Sequence, residues 1–402
     1  MQRRIDFSPP DIGQLEIDEV TAVLRSGWIT TGQKTRQFER ELAAFCGTER
    51  VVCLNSATAA LELTLRVLGV GEGDEVITTP YTYSASASVI LHVGAVPVFV
   101  DTAPNSFLID CNRVQKAFTH KTKAVIGVDV AGMMCDYRRL IHITKENSPH
   151  FFPSSELQDA MGRAAVIADA AHSLGAMADG VTSGAAADLS AFSFHAVKNL
   201  TTAEGGAVTW RPIDGMLDET LYRQFFLLAL HGQSKDAFAK ATLGGWEYDI
   251  LIPGYKHNMP DVLAAIGVAQ LSRYPAMLVR RAELVARYDS LLSSNRFILP
   301  EHSAGSSQSS RHLYPVRITD CEQRNRNRII QSLSEKGISA NVHYKPLPML
   351  TAYKKLGYQI TDYPNAFAQY QNEITLPLHT LLSDDDVSYV AQGLIDSCDE
   401  VL

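Results

Sequence analysis

The 402-residue chain lacks paired cysteines, an excess of basic residues and long apolar runs. Its six cysteines are scattered without a C-x-x-C pair, so neither a zinc site nor a disulfide framework is indicated, and a reducing cytoplasm is the expected location. A net charge of -8 argues against nucleic acid as a partner and leaves no polybasic patch for a membrane surface. No apolar segment marks the N-terminus and no run approaches the roughly 18 residues that span a bilayer, so we expect neither export nor membrane insertion.

A hydrophobic content of 46% over this length is enough for a large core and suggests two domains. Short apolar strands alternate with helices in the first part of the chain, at 51–54, 75–78, 96–100, 123–130 and 164–168. This order predicts an α/β domain with a mostly parallel, doubly wound sheet of buried strands. A helix at 262–271 that continues past Tyr274, and a charged helix at 279–292, lead into a smaller α+β domain. We therefore assign residues 1–260 to the large domain and 261–402 to the small one.

The segment 192–206, FSFHAVKNLTTAEGG, predicts an apolar strand followed by a polar turn with one lysine, Lys198. Ser193 lies near the end of the strand, and Gly205 and Gly206 let the backbone bend after the turn. A lysine that attacks a carbonyl carbon must be held beside groups that bind its electrophile, because a free ammonium is not nucleophilic. An isolated lysine in such a turn is ordinarily a solvated surface residue, so a catalytic role depends on the rest of the chain.

The segment 51–58 combines a strand, a turn of small residues and the start of a helix at Ala57 and Thr58. The first N–H groups of a helix are unpaired and lie at the positive end of its dipole, so this arrangement favours a bound phosphate. Ala57 is small enough to let an anion approach the backbone. Serine and asparagine also begin ordinary helices, and composition by itself favours that simpler interpretation.

The segment 164–176, AAVIADAAHSLGA, predicts a buried strand with Asp169 directly at its carboxyl end and His172 three residues later. Ligands of open α/β sheets bind at that edge, and a carboxylate buried there needs a partner of opposite charge. Tyr83, shortly after the strand 75–78, is placed to stack on a ring, although a core tyrosine gives the same pattern. The first strand is not followed by G-x-G-x-x-G, which argues against a nicotinamide-dependent enzyme.

The lysine segment resembles the active-site segment of the DegT/DnrJ/EryC1/StrS family of sugar aminotransferases, which use pyridoxal 5'-phosphate (PLP). The shared pattern is S-F-H, two residues, lysine and a threonine-rich turn ending in E-G-G, and the resemblance extends from about Phe7 to about Leu394. It implies the fold type I architecture of PLP-dependent transferases, similar to aspartate aminotransferase. It also implies that Lys198 binds the cofactor covalently and that Asp169 pairs with the protonated ring nitrogen of the cofactor. Ala57 and Thr58 would hold the cofactor phosphate, and Tyr83 would stack on the cofactor ring. His172 would reach the ring hydroxyl, and Ser193 would be a further cofactor contact.

Further segments match the family and imply contacts with the substrate or with a second subunit. Trp28 and Thr30 lie in a loop that covers the active site in the family, although composition by itself favours a surface turn. His343 and Tyr344 belong to a substrate-side segment, N-V-H-Y-K-P. Asn258, in G-Y-K-H-N-M-P-D, implies a homodimer in which this loop contacts the cofactor phosphate in the neighbouring site. The segment 231–246 resembles the variable active-site flap of the family.

The resemblance implies transamination of a nucleotide-linked ketosugar with L-glutamate, giving an aminosugar for surface polysaccharide, glycan or antibiotic biosynthesis. The motifs S-F-H-A-V-K-N and G-Y-K-H-N most resemble those of family members that act at sugar C4. We therefore expect a UDP-linked 4-keto-6-deoxy sugar that bears an acetamido group. A 3-keto substrate is an alternative, as is a sugar dehydratase of the same family, although such members replace the lysine by histidine. A non-enzymatic regulator that binds PLP is a further alternative, but such a protein would not need an intact pair of lysine and acid. No metal is expected, because Ser383 and the three aspartates after it predict a helix N-cap.

Overall fold

The computed structural model describes residues 3–235 and 246–402, so most of the predicted flap, residues 236–245, lies outside the described part. The chain forms an α/β domain around a central sheet and a smaller α+β unit. The strands are β1 (Val51–Leu54), β2 (Glu75–Thr78), β3 (Val96–Phe99), β4 (Thr122–Val128), β5 (Ala165–Asp169), β6 (Met177–Ala178), β7 (Val181–Thr182), β8 (Leu189–Ser193), β9 (Gly206–Trp210), β10 (Phe297–Ile298), β11 (Ser303–Ala304), β12 (Ser307–Gln308), β13 (Tyr314–Ile318) and β14 (Glu373–Leu376).

Helices cover both faces of the central sheet and one face of the smaller one. The α-helices are α1 (Gln14–Ser26), α2 (Gln33–Cys46), α3 (Ala57–Val67), α4 (Ala85–His92), α5 (Cys111–Ala117), α6 (Tyr137–Glu146), α7 (Glu156–Met161), α8 (Ser183–Ala186), α9 (Asp218–Ala229), α10 (Asp261–Leu291), α11 (Gln323–Glu335), α12 (Thr351–Lys355), α13 (Pro364–Gln371) and α14 (Asp384–Val401). Short 3-10 turns occur at Val130–Gly132, Ser148–His150, Leu347–Met349 and Ile360–Asp362.

Seven strands form the central sheet in the spatial order β1, β9, β8, β5, β4, β2, β3. Neighbours from β3 to β8 are parallel, whereas β9 runs antiparallel to β8 and to β1. The predicted mostly parallel α/β sheet of fold type I is therefore confirmed. Because parallel strands share one carboxyl edge, Asp169 of β5 and Ser193 of β8 lie at the same edge. The strand at 96–100 was expected to be buried; β3 is instead an edge strand whose Val96 is 51% exposed, while Pro97 and Phe99 are buried.

Helix α10 is one continuous helix of 31 residues, where the sequence suggested a second helix beginning at residue 279. Pro275 lies inside it and removes one helical hydrogen bond, but packing on both sides holds the flanking turns. Val268 and Tyr274 pack in the core below the central sheet, whereas Leu284 and Tyr288 pack in the core of the smaller unit. The helix is long and apolar enough by composition to cross a membrane, yet half of its most apolar stretch is buried inside these cores. The domain boundary after residue 260 stays a prediction.

The smaller unit is a three-stranded antiparallel sheet, with β13 between β10 and β14. Ile5, from the N-terminal segment, joins its core. The predicted N-cap of α14 is confirmed, since Ser383 Oγ accepts the N–H of Asp386 at 3.1 Å and Asp386 accepts the N–H of Ser383 at 3.0 Å. The serine-rich segment 303–310 contains the hairpin of β11 and β12, which pairs with β6 of the large domain.

The segment 147–162 connects α6 to β5 and includes α7. Leu157 and Gln158 of α7 are buried, and Leu157 belongs to the core on one face of the central sheet. Gln158 Nε2 donates to the carbonyl oxygen of Lys123 at 3.4 Å. This segment therefore packs on the sheet through one turn of helix.

Candidate active site

A cavity of about 450 Å³ lies at the carboxyl edge of the central sheet, where β5 and β8 end. The N-terminus of α3, the turn after β8 and the loop before the 3-10 turn at Leu347–Met349 all line it. The structure brings together nine of the residues that the sequence singled out: Ala57, Thr58, Tyr83, Asp169, His172, Ser193, Lys198, His343 and Tyr344.

Lys198 is held by the turn that follows β8. The backbone N–H of Lys198 donates to the carbonyl oxygen of His195 at 2.9 Å, and the N–H of Thr202 donates to the carbonyl oxygen of Phe194 at 2.9 Å. These two hydrogen bonds fix the conformation of the turn. Burial lowers the pKa of the Lys198 amine to about 8, and the carboxylate of Asp169 opposes this shift. A substantial fraction of the amine is therefore neutral near physiological pH, which is the form that attacks a carbonyl carbon.

Asp169 is the last residue of β5 and is buried. Its Oδ2 accepts the hydroxyl of Ser86 at 2.6 Å, and its Oδ1 accepts the N–H of Ala171 at 3.3 Å. Burial raises the pKa of the Asp169 carboxyl, while the hydrogen bonds from Ser86 and Ala171 and the charge of Lys198 act in the opposite direction. Sequence reasoning missed Ser86, because it lies in a helix of small residues whose spacing gives no sign of the strand end that it meets.

The start of α3 forms a cradle of backbone N–H groups. Ser56 Oγ accepts the N–H of Ala59 at 3.1 Å and leaves the N–H groups of Ala57 and Thr58, which an α-helix cannot pair internally, at the cavity. Gly206 allows β9 to approach this turn: a Cβ there would lie 2.2 Å from the carbonyl carbon of Ser56 and 2.4 Å from the nitrogen of Ala57. The cradle therefore requires glycine at the position where the sequence has its Gly-Gly pair.

His172 and Tyr344 are joined across the cavity. The backbone N–H of Ala131 donates to His172 Nδ1 at 3.3 Å, and His172 Nε2 lies 3.0 Å from Tyr344 Oη. Burial, together with the charge of Lys198, holds the pKa of His172 well below its ordinary value, so the ring is neutral with its proton on Nε2. Nε2–H therefore donates to Tyr344 Oη. Tyr83 is 66% exposed at the cavity, which rules out the alternative that it is a core tyrosine.

A second polar layer, which the sequence did not reveal, supports this wall. His312 Nδ1 lies 2.9 Å from Asn199 Oδ1, and Asn199 Nδ2 donates to the carbonyl oxygen of Ser310 at 2.9 Å. Asn199 directly follows Lys198, so the layer ties the lysine turn to the smaller unit. Its residues come from segments more than a hundred positions apart, and no local pattern indicates such pairs.

Trp28, Thr30 and Asn258 do not line this cavity. Asn258 Nδ2 donates to Thr31 Oγ1 at 2.6 Å, next to Thr30, so the two predicted loops are joined to each other at a different surface. The carboxylate of Asp261 fixes this junction by accepting N–H groups at the start of α2, among them that of Gly32 at 2.7 Å. The functional roles of these three residues stay predictions.

Comparison with known proteins agrees with this geometry. The model of the DegT/DnrJ/EryC1/StrS aminotransferase family matches residues 10–395, and the chain belongs to that family. A Streptococcus pneumoniae protein described as a sugar aminotransferase, Spr1654, is 52% identical in its PMP form, with a TM-score of 0.97 over 99% of this chain and 100% of that one. The same protein is known in a PLP form, at a TM-score of 0.96.

Two more distant relatives span nearly the whole chain. The spore coat polysaccharide biosynthesis protein SpsC of Bacillus subtilis is 37% identical over 98% of both chains. Helicobacter pylori PseC, an aminotransferase involved in the biosynthesis of pseudoaminic acid, is 29% identical with a TM-score of 0.88, over 99% of this chain and 100% of that one. The chain is thus a PLP-dependent sugar aminotransferase of polysaccharide or sugar biosynthesis.

The residues at the cavity fit PLP in charge and chemistry. A helix start with free N–H groups suits a phosphate, a buried carboxylate suits a protonated pyridine nitrogen, and an amine of lowered pKa suits an aldehyde. These three groups come from α3, β5 and the turn after β8, and the sheet brings them to one edge.

Proposed function

We propose that this protein transfers the amino group of L-glutamate to C4 of a UDP-linked 4-keto-6-deoxy sugar that bears an acetamido group. It acts in the cytoplasm as a homodimer with shared active sites. The observation that carries the proposal is the presence, in one cavity, of the Lys198 amine, the buried Asp169 carboxylate and the polar aromatic wall of His343 and Tyr344.

We assign each step of the chemistry to a named atom of the chain. Lys198 Nζ would hold the cofactor, and as a free neutral amine the same nitrogen would remove the donor α-proton and later return a proton to the sugar carbon. PLP, when bound, supplies the conjugated ring that accepts the electron pair left at the donor carbon. The Asp169 carboxylate holds a proton on the ring nitrogen by its negative charge. The N–H groups of Ala57 and Thr58 hold the phosphate.

Tyr344 is the proposed contact with a sugar oxygen. Because His172 donates Nε2–H to Tyr344 Oη, the tyrosine keeps its own hydroxyl proton for another acceptor. His343 stacks on Phe7 with ring centroids 5.6 Å apart, which closes the cavity on the side of the N-terminal segment. The contact of Ser193 with the cofactor is part of the same proposal. So is a contact of His172 with the ring hydroxyl of PLP, in which Nε2–H would be shared between Tyr344 Oη and the cofactor oxygen.

The cavity lining favours a sugar over a second dicarboxylate as amino acceptor. Ordinary amino-acid transaminases bind dicarboxylates with arginine forks. Among the described residues no arginine lines this cavity, and Lys198 is its lysine. The printed names of SpsC and PseC, which mention a spore coat polysaccharide and pseudoaminic acid, suit a role in surface glycans. The choice of C4 and of UDP rests on the sequence motifs alone.

The shared site of the proposed homodimer explains where Asn258, Trp28 and Thr30 lie. All three belong to one junction, which is separate from the cavity of their own chain. In the proposed dimer this junction faces the cavity of the other subunit, where Asn258 contacts the phosphate and Trp28 and Thr30 contact the substrate.

The test is product analysis by mass spectrometry. The enzyme is incubated with glutamate and, separately, with 4-keto and 3-keto nucleotide sugars linked to UDP or TDP, and Lys198→Ala serves as the inactive control. We expect an amino product from the UDP-linked 4-keto sugar. Exclusive turnover of a 3-keto sugar would overturn the C4 assignment, and a deoxygenated ketosugar that carries no new amino group would identify a dehydratase.

A further inference from the structure

Ser86 is fully buried on α4 and touches the carboxylate at the end of β5. Its Oγ lies 2.6 Å from Asp169 Oδ2 and 2.7 Å from Thr82 Oγ1. Thr82 is also buried and lies four residues earlier, before α4 begins. A short row of two hydroxyl groups therefore leads directly to the carboxylate.

The direction of these hydrogen bonds follows from proton counting. An ionised carboxylate has no proton to donate, so Ser86 is the donor in its bond with Asp169. Ser86 has a single hydroxyl proton, so the proton in the bond between Thr82 and Ser86 belongs to Thr82. The row donates in one direction, from Thr82 to Ser86 and from Ser86 to Asp169.

We propose that Ser86, oriented by Thr82, is a positioning residue that keeps Asp169 ionised, so that the proton shared between Asp169 and the cofactor stays on the ring nitrogen. This inference rests on the proposed pairing of Asp169 with that nitrogen. It adds two hydroxyl groups, those of Ser86 and Thr82, that do not touch the reacting atoms. These hydroxyl groups determine how strongly the Asp169 carboxylate binds a proton.

The physical reason is the isolation of Asp169 from water. A buried carboxylate needs donors to remain charged, and hydrogen bonds to charged groups are roughly twice as strong as neutral ones. Among the described residues the other donor to this carboxylate is the N–H of Ala171, at the longer distance of 3.3 Å. Without Ser86, the carboxylate binds a proton more strongly and draws it from the ring nitrogen to an Asp169 oxygen. Only the proton moves in this step, and no other bond changes.

Lys198 acts on the Asp169 carboxyl through its charge. Burial and the Asp169 charge in turn raise the pKa values of Asp129, Tyr137 and Tyr344. Substitutions at Ser86 or Thr82 leave all four groups in place, so a difference between variant and wild type isolates the hydroxyl row.

The experiment measures protonation of the ring nitrogen directly. Wild-type enzyme and its variants are loaded with PLP labelled with ¹⁵N in the ring, and the ¹⁵N chemical shift is followed against pH. Ser86→Ala removes the donor, and Thr82→Val keeps the shape of Thr82 but removes its hydroxyl. Ser88→Ala is the matched control, because Ser88 lies on the same helix and bonds to the carbonyl oxygen of Ala85 at 3.4 Å. Asp169→Asn tests the underlying pairing.

We expect the pH at which half of the ring nitrogen is protonated to fall by roughly one to two units in Ser86→Ala, and by less in Thr82→Val. Ser88→Ala is expected to match the wild type. If Asp169→Asn moves the midpoint and Ser86→Ala does not, the role of Ser86 is overturned while that of Asp169 stands. If Asp169→Asn leaves the midpoint unchanged, both are overturned. If Ser86→Ala does not fold, Thr82→Val decides: a lower midpoint supports the proposal, and an unchanged one overturns it.

Discussion

His172 donates its Nε2–H to the hydroxyl oxygen of Tyr344 over 3.0 Å, and the backbone N–H of Ala131 fixes the tautomer that makes this possible. The tyrosine hydroxyl is thereby held toward the cavity as a donor. His172, which follows the carboxyl end of β5, and Tyr344, from the smaller unit, thus form one hydrogen-bonded pair that neither unit would contain alone.

Tyr344→Phe is expected to lower kcat/KM for the ketosugar by about tenfold to a hundredfold, because a hydrogen bond to the sugar is lost. The half-reaction with glutamate should change little. Stopped-flow absorbance of the two half-reactions separates these effects. Tyr83→Phe is the control, since it removes a hydroxyl but keeps the ring at the cavity. Equal losses in both half-reactions would argue that Tyr344 acts on the cofactor instead of the sugar.

Lys198 is expected to carry the cofactor. Borohydride reduction of the holoenzyme followed by peptide mapping should find a pyridoxyl group on the peptide that contains Lys198. Lys198→Ala should give no adduct and no turnover, because no other amine lines the cavity among the described residues. An adduct on a different lysine would overturn the proposed mechanism.

The stability of the cofactor-free protein is expected to depend on Lys198 and on pH. Burial lowers the pKa of Lys198 to about 8 from the ordinary lysine value of 10.5. Below the lower value the amine is charged in both states, and folding bears the cost of burying that charge. Between the two values the unfolded chain binds more protons, so the free energy of unfolding rises with pH.

Lys198→Met removes this cost. We expect the cofactor-free variant to exceed the wild type in free energy of unfolding by about 1 to 2 kcal/mol near neutral pH, a value reduced for partial solvation of the amine. Urea titrations of both proteins near pH 7 and near pH 10 provide the measurement. The advantage of the variant should shrink at the higher pH, and an advantage that grows there would contradict the assignment.

Asp188 is expected to be a stability determinant outside the active site. Its carboxylate is buried and pairs with Arg163 through two contacts of 2.8 Å and with Arg211 at 2.9 Å. Asp188→Asn leaves a buried guanidinium without its charge partner, so the free energy of unfolding should fall by about 3 to 5 kcal/mol. Asp385→Asn, at an exposed position of α14, should change it by less than about 1 kcal/mol. Similar urea midpoints for the two variants would refute the prediction.

Subunit mixing tests the shared site. In a hybrid of a Lys198→Ala chain with an Asn258→Ala chain, a shared arrangement retains one site with both residues intact, so up to about half of the wild-type activity should return. A hybrid of wild type with a chain carrying both substitutions should then be inactive, because each of its sites lacks one residue. Purification by two different tags confirms the composition. The opposite pattern of activity would show that each site belongs to one chain.

Much of the fold and the centre of the site could be predicted from local patterns. The alternation of apolar strands and helices gave the parallel sheet, and Asp169 could be placed because a residue that follows a parallel strand lies at the edge where ligands bind. Lys198, Ala57 and Thr58 lie in contiguous stretches of strand, turn and helix start, but the resemblance to the family, and not the local pattern, singled them out. The length of α10 was misjudged because Pro275 is a local break signal, and packing on two cores overrides it.

What the sequence by itself determined is the set of groups whose chemistry depends on their immediate neighbours in the chain: the lysine turn, the helix start and the carboxylate at a strand end. Only the tertiary structure decided which groups support them, since Ser86 reaches Asp169 across 83 positions and Tyr344 reaches His172 across 172. The physical reason is that a hydrogen bond depends on distances of about 3 Å in space, and a periodic pattern carries no information on which distant segments meet at that distance.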